Sequence, residues 1–521
     1  MSELPGEMTS ARVGGWLTAL AAAFVALGVF LALYLVTWDA EWSYVTLGGK
    51  AVTGHIGLFQ DELIGERLPL PYYLIGLVEV AAGPTLLGAR LVSLAAGVAA
   101  LGLTFVAARA LGGGPAGLLA AAFLATHALL AGYYAIASYF ALCAALVAGG
   151  VAAACAIARP WGSLLAMACF TALAFSRANL AVIAPAALIA LAVTARTRAE
   201  RVALVCVCCV PPLLFFLWSS DHLKILAYVP GVHRLVTALD YRSGYSMGGQ
   251  HVFYTREVGE SALWFARRHA PWLAASALLA GFALVARRAG RAPRWPTGVL
   301  VVAALAVYTL AWQVVILRIY LKSVAAWAVP FAPLWAIVLG CAAAGLLRDG
   351  ALPWPWRRLL ACGLGAILLV SPTFSPHPSM PRPLPERTFM SALTDAAAGI
   401  RSVVPPGTRV FVFGNPLPSF LAGAELYLRQ TSHYTTLVPS PDRRAIQRSG
   451  LWGREELEEW LGREARYAII EPGAVVQLSK LEAYAPLMAR LETLLAERFE
   501  RRAEIGDVAG VVRQQVYVRR R

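Results

Sequence analysis

The chain has 521 residues, 59% of them hydrophobic and only 14% charged, and a mean hydropathy of +0.62. These values exclude an ordinary soluble globular protein and indicate a polytopic membrane protein. The formal net charge is +15, but the basic residues lie in short clusters between apolar runs or in the polar C-terminal third. No aromatic-interleaved basic module is present, so the expected partners are phosphate-bearing membrane lipids and not nucleic acid.

The N-terminal apolar run, residues 13–37, lacks a cleavage-type ending and reads as a retained first span. It leads straight into two acids, Asp39 and Glu41, which the run's length sets at the membrane surface. Acids at the mouth of a span are costly to keep there unless they are solvated or used. A semi-polar stretch follows with Asp61, Glu62 and Glu66, then re-entry through Pro69, Pro71, Tyr72 and Tyr73. Between Ala40 and Val52, the residues Trp42, Val45, Leu47 and Val52 recur at loosely helical spacing, which predicts a helix lying in the interface.

Apolar runs of spanning length number roughly eleven, at 13–37, 88–111, 115–131, 134–158, 162–176, 179–195, 201–219, 262–286, 297–317, 323–347 and 357–373. With a cytoplasmic N-terminus, Arg109, Arg159, Arg196, Arg198, Arg201, Arg287, Arg288, Arg291, Arg294, Arg348, Arg357 and Arg358 fall on the cytoplasmic side. The Asp39 loop, the segment 219–261 with its Gly-rich SGYSMGGQ centre, the Arg318–Lys322 connection and the C-terminal region then lie outside. All eight cysteines sit within apolar runs and read as small packing residues.

Three parts are therefore expected. Residues 1–373 form a transmembrane catalytic module with exterior loops at 38–87 and 219–261, residues 374–386 a Pro-rich linker of extended character, and residues 387–521 a small soluble α/β domain. In that domain Arg409–Phe413 and Tyr467–Ile470 read as strands, Ser419–Leu428 and Leu481–Phe499 as helices, and the valines around 508–518 as the last strands.

An exterior carboxylate at a membrane surface is suited to act as general base toward a hydroxyl, and displacement with inversion at an anomeric carbon needs one such base. A phosphate leaving group on a lipid carrier needs cations, and Arg177, Arg318 and Lys322 stand at the ends of spans. No P-loop, Rossmann fingerprint or HExxH motif is present, which fits a donor that is not a nucleotide. Plainer readings stand beside these. The two acids could cap the interfacial helix, Arg177 could snorkel to the headgroups, Arg318 and Lys322 could be interfacial anchors, Asp61 and Glu62 solvated loop charges, and His127 an interfacial or packed histidine.

The acidic cluster after the first span, GERLPLPYYLIGL, GARLVSLAAGVAALGLTFVAARALGGG, YYAIASYFAL, LAFSRANLAVIAPAAL and RIYLKSVAAWAVPF together resemble the membrane-embedded GT-C glycosyltransferases. Within these the chain is most similar to the group of dolichyl-phosphate-mannose protein mannosyltransferases and aminoarabinose transferases. The C-terminal VPPGTRVFVFG, YAII and VYVRR resemble the exterior domain of bacterial members. The resemblance implies an inverting enzyme that moves a sugar from a polyprenyl-phosphate donor to a protein, lipid or glycan acceptor at the outer face of a bacterial inner membrane. It implies Asp39 as the base, Glu41 in place of an acid found directly adjacent to that Asp in the family, and Glu66 as the loop's second acid. Arg177 stands where a Lys is common, and Ser138 where an acid is frequent. A divalent metal could sit at Asp39, Glu41 and the loop acids, although nothing in the spacing demands one. Two other functions share some of these features: a transporter or flippase of lipid-linked saccharides, and an O-antigen polymerase or ligase. The asymmetric spans and acids gathered at one surface argue against the first, and the acid placed directly after the first span argues against the second.

Overall fold

The computed structural model describes residues 10–37, 39–55, 69–177, 258–291, 295–311, 328–374 except 349, 376–427 except 382 and 383, 452–506 and 513–521, with scattered positions at 180–206 and residues 437 and 439. The chain enters through α1 (Ser10–Tyr34) and turns into α2 (Asp39–Val52), the helix expected from the Trp42, Val45 and Leu47 spacing. It continues through α3 (Pro69–Ala82) into α4 (Leu86–Gly112), whose first turn is capped by the Thr85 hydroxyl accepting from Gly88 N–H at 3.1 Å. At 1.5 Å per residue, the 27 residues of α4 reach about 40 Å, more than the ~30 Å hydrocarbon core.

The expected spans 115–131 and 134–158 are divided differently. Helix α5 (Gly114–Thr126) gives way at His127, whose backbone is extended at φ −80°, ψ 101°, to α6 (Ala128–Ala135), bent from it by 72°. Ser138 then caps α7 (Tyr139–Ala156). The break turns the short α6 sharply off the α5 axis, a geometry invisible to a count of apolar residues. After α8 (Trp161–Ala174) come α9 (Val258–Arg268), α10 (Ala270–Arg288), α11 (Thr297–Ala311), α12 (Ala332–Leu347) and α13 (Trp354–Val370). Among the described residues five helices are long and apolar enough to cross a membrane, or six if the bent pair is one span. The protein is a multi-pass, mostly helical membrane protein.

Helices α2 and α3 lie flat against one another because glycine faces glycine. A Cβ on Gly76 would stand 2.1 Å from the Gly48 carbonyl oxygen, and one on Gly48 would stand 2.9 Å from the Gly76 nitrogen. The backbones touch, and Tyr44 and Tyr72 fill the space beside that contact with ring centres 4.6 Å apart.

The C-terminal part runs α14 (Phe389–Arg401), β1 (Arg409–Phe413), α15 (Leu417–Leu421), β2 (Glu425–Leu426), α16 (Arg454–Glu459), β3 (Tyr467–Ile470), α17 (Pro472–Ser479), α18 (Ala485–Arg498), β4 (Phe499–Gly506) and β5 (Arg513–Arg519). The sheet order is β2-β1-β3-β5-β4, with β1 parallel to β2 and β3, and β5 antiparallel to β3 and β4. Strands β1 and β3 fall where the sequence sets them, Val410 opposite Tyr467 and Phe413 opposite Ile470. The helix expected over Ser419–Leu428 is cut short at Leu421, because Gly423 takes a positive φ of 80° and the chain turns into β2. The expected final helix ends at Arg498, and Phe499 begins a strand that the sequence reading missed.

This part is seated on the membrane helices. Phe389, Leu393 and Ala396 of α14 and Leu417 of α15 join the same apolar core as α1, α4 and α12. Val36 N–H donates to Ser379 O at 3.1 Å, Arg268 Nη1 to Pro376 O at 2.8 Å, and Asn415 Nδ2 to the Thr37 hydroxyl at 3.3 Å. Within the Pro-rich stretch His377 is 2% exposed and packs on the Tyr133 ring of α6 at 4.5 Å. Where it is described, that stretch is held down rather than strung out.

Candidate functional site

Helix α2 begins at Asp39, eight residues past Leu31, whose carbonyl accepts from Leu35 N–H at the end of α1. The Asp39 side chain lies outside the described residues, but its backbone is fixed by what Glu41 does two positions on. Glu41 is fully buried and takes a two-pronged ion pair from Arg90 of α4, Nε to Oε1 and Nη2 to Oε2, both 2.9 Å. Its Oε1 also accepts from Ala137 N–H at 2.8 Å, just before α7. The remaining Arg90 nitrogen, Nη1, donates to Ala32 O at 2.7 Å and Leu35 O at 2.8 Å, carbonyls at the end of α1 left without partners by the helix terminus. One buried charge pair thus ties α1, α2, α4 and the α6–α7 junction together, and the paired, hydrogen-bonded geometry is what lets both charges stay out of water.

Arg177 is also buried, at 8% exposure, just past the end of α8. Its guanidinium lies over the Tyr139 ring at 4.4 Å. Tyr139 stands 6.4 Å from Tyr44 of α2, which in turn packs on Tyr72 of α3. Two residues before Arg177, the Phe175 carbonyl accepts from Leu70 N–H at 3.1 Å, joining the end of α8 to the start of α3. The N-termini of α2, α3 and α7 and the C-terminus of α8 therefore meet at one end of the bundle. Asp39 and Arg177, 138 positions apart by number, belong to the same small region because tyrosines and one backbone hydrogen bond link their elements.

Of the other sequence candidates, Glu66, Asp61, Glu62, Arg318, Lys322 and most of the 219–261 loop lie outside the described residues. Ser138 shares its backbone with Ser93, whose hydroxyl accepts from Ser138 N–H at 3.3 Å. His127 is buried at the α5–α6 break, with Nε2 3.2 Å from Nδ1 of His269 and its ring edge-on to Trp272. Among the described residues no three of His, Cys, Asp and Glu converge in a way that could hold a metal ion.

The sequence reading passed over Arg90 and Tyr139. Arg90 had a usable signal, since it is a cation inside an otherwise apolar helix and such a group needs a buried partner. Tyr139 had none, because its role comes from the break at Ile136–Ser138 that turns its ring toward Arg177.

No protein-family model and no curated protein matches the sequence. Solved structures do. The chain is 14% identical to ArnT from Cupriavidus metallidurans bound to undecaprenyl phosphate, over 97% of this chain and 98% of that one, with a TM-score of 0.57. It is 13% identical to the Archaeoglobus fulgidus oligosaccharyltransferase in complex with Zn and sulfate, over 96% of this chain and 72% of that one, with a TM-score of 0.52. Against a variant of the mycobacterial arabinofuranosyltransferase AftD the identity is 15% and the TM-score 0.52, this chain matching over 99% of its length and covering 42% of that one. At these identities the likeness is one of fold.

Proposed function

We propose, from the premise that the chain has the GT-C fold, that it is an inverting glycosyltransferase taking a sugar from a polyprenyl-phosphate donor. The observation that carries the reading is the meeting of the Asp39 end of α2 with the Arg177 end of α8, through Leu70 to Phe175 and through Tyr44 to Tyr139. It brings a candidate base and a candidate phosphate ligand to one end of the membrane helices. The undecaprenyl phosphate bound by ArnT supports the donor class.

In this reading an acceptor hydroxyl attacks the anomeric carbon on the face opposite the phosphate. The new C–O bond forms as the C1–O bond to phosphate breaks, the electron pair leaves with the phosphate, and the hydroxyl proton passes to the Asp39 carboxylate. Arg177 balances the leaving phosphate's charge, its guanidinium already oriented by the Tyr139 ring. Arg318 and Lys322 are assigned to the same phosphate and Glu66 to orienting the acceptor or sugar. Glu41, engaged by Arg90, is a positioning residue for the first turn of α2. The site faces the outside of a bacterial inner membrane, with the C-terminal domain extracytoplasmic and a protein, lipid or glycan as acceptor.

The test is transfer of radiolabelled sugar from polyprenyl-phosphate donors in membranes carrying wild type, Asp39→Asn or Arg177→Ala at matched protein levels. Asp39→Asn is expected to lose about 10²–10⁴-fold in rate while still binding donor, the range for removal of a general base. Arg177→Ala is expected to weaken donor binding. Full transfer by Asp39→Asn would remove Asp39 as the base, and donor flipping without transfer by wild type would replace the enzyme with a transporter.

A further inference from the structure

A second polar region lies away from the Asp39–Arg177 end of these helices. The C-terminal end of α2, the second half of α3 and the β1–β2 edge of the sheet enclose a cavity of about 720 Å³, within the ~300–1,000 Å³ range of small-ligand pockets. Its charged lining is Lys50 from α2, Arg409 from β1, Glu425 from β2 and Glu79 from α3, with His55 at the margin.

The charges do not cancel. Glu79 Oε2 accepts from Gly49 N–H at 2.7 Å, and burial pushes the carboxyl up to about 8, so that it is mostly neutral at pH 7. Lys50 is held below its ordinary value by burial, with Glu425 opposing and the nearby Arg409, a smaller effect than Glu425, adding to the lowering. Among the described residues neither Lys50 nor Arg409 has a carboxylate within ion-pair distance. Two basic side chains thus share one half-enclosed space with Glu425 and with a carboxyl that burial holds mostly neutral. Burial is the main cost of the charge on Lys50, and an anion seated between Lys50 and Arg409 relieves it.

The wall tells what carries that anion. Val80 lines the cavity yet is 53% exposed, and Leu77, one turn earlier on the same face of α3, is 56% exposed. An exposed apolar strip on α3 thus runs into the mouth of a cation-lined pocket. On the opposite wall the Arg409 guanidinium lies 5.5 Å from the Tyr427 ring centre, and Tyr427 stacks on Trp460 at 5.0 Å. A polar, cation-lined chamber with an apolar lip fits an amphiphile with an anionic head.

We propose that this cavity binds the phosphate-bearing headgroup of an anionic membrane lipid, the phosphate between Lys50 and Arg409 and the acyl chains along Leu77 and Val80. The bound lipid joins the juxtamembrane helices to the edge of the C-terminal sheet. This inference does not depend on the transferase reading and holds whichever reaction the protein performs.

The experiment titrates the purified full-length chain in detergent with phosphatidylglycerol, with phosphatidylcholine and with inorganic phosphate, reading lipid retention by native mass spectrometry and thermal shift. Phosphatidylglycerol is expected to be held at least ten-fold more tightly than phosphatidylcholine, and the double variant Lys50→Gln/Arg409→Gln is expected to bring the two level. Glu425→Gln, which removes the opposing acid, is expected to tighten phosphatidylglycerol several-fold, a gain that a misfolded variant cannot produce. Equal retention of the two lipids, unchanged affinity in the double variant, or no gain in Glu425→Gln would each overturn the proposal. Inorganic phosphate binding as tightly as the lipid would also overturn it, in favour of a soluble-anion site.

Discussion

Glu41 shows how a residue beside a candidate catalytic group can matter without touching substrate. Its carboxylate is out of water and is satisfied by Arg90 and the Ala137 N–H. Arg90→Met leaves that carboxylate buried without its cation, and a loss of about 3–5 kcal/mol in unfolding free energy is expected, the cost of breaking a buried pair from one side. Glu41→Gln/Arg90→Met removes both charges and is expected to recover much of the loss. A double-mutant cycle on unfolding in detergent measures the coupling, and additive single effects would refute it. That Asp39 and Glu41 stand at the end of a span was legible, since it needs only the length of the preceding apolar run. That Glu41 is engaged was not, because its partner lies 49 positions away on a helix whose placement no local pattern encodes.

At the scale of elements, the helix after Asp39 could be read from its spacing, whereas the way it packs depends on two glycines that spacing cannot interpret. The Gly48–Gly76 contact sets α2 against α3 at backbone distance and so fixes both ends of that pair, the tyrosine cluster and the cationic cavity. Gly76→Ala forces a methyl into the Gly48 carbonyl, where no side chain can swing aside. A loss of roughly 1–3 kcal/mol is expected, as for overpacking elsewhere, together with faster hydrogen exchange of the α2 amides. Gly102→Ala on α4 meets nothing within 4 Å and is expected to stabilise by about 0.5–1 kcal/mol, the helix-propensity gain. Equal exchange rates in the two variants would show that the close approach does not hold the pair. The 72° break at His127 was illegible for a related reason. Thr126, His127 and Ala128 contain neither proline nor glycine, and the partners that pack on the histidine at the bend, His269 and Trp272, lie far along the chain.

Across the whole molecule the Pro-rich stretch is where the two parts of the chain meet. Its composition reads as a boundary, but composition alone could not show that His377 would be buried against Tyr133. Burial, with Arg90 and then Arg268 nearby, holds the His377 imidazole down to about 3. Its docked value lies below its released value of about 6.5, so the docked form is favoured fully above pH 6.5. That advantage is lost as pH falls from there toward 3, by at most about 1.4 kcal/mol per pH unit. Limited proteolysis of the 374–386 stretch is therefore expected to speed up between pH 7 and pH 5 in wild type and to change less in His377→Gln. Identical pH profiles would remove the histidine as the cause.

The Arg90–Glu41 seat also has a schedule. The Ala137 amide that completes it is made 96 residues after Glu41, which at about 5–20 residues per second is a wait of roughly 5–20 s during synthesis. Until then the first turn of α2 has no finished place in the bundle, and its amphipathic sequence gives it somewhere to wait, on the surface of the bilayer. The Glu41 seat is thus completed late, only after four more helices have been translated, and a nascent chain that ends before Ala137 leaves Glu41 without its last hydrogen bond.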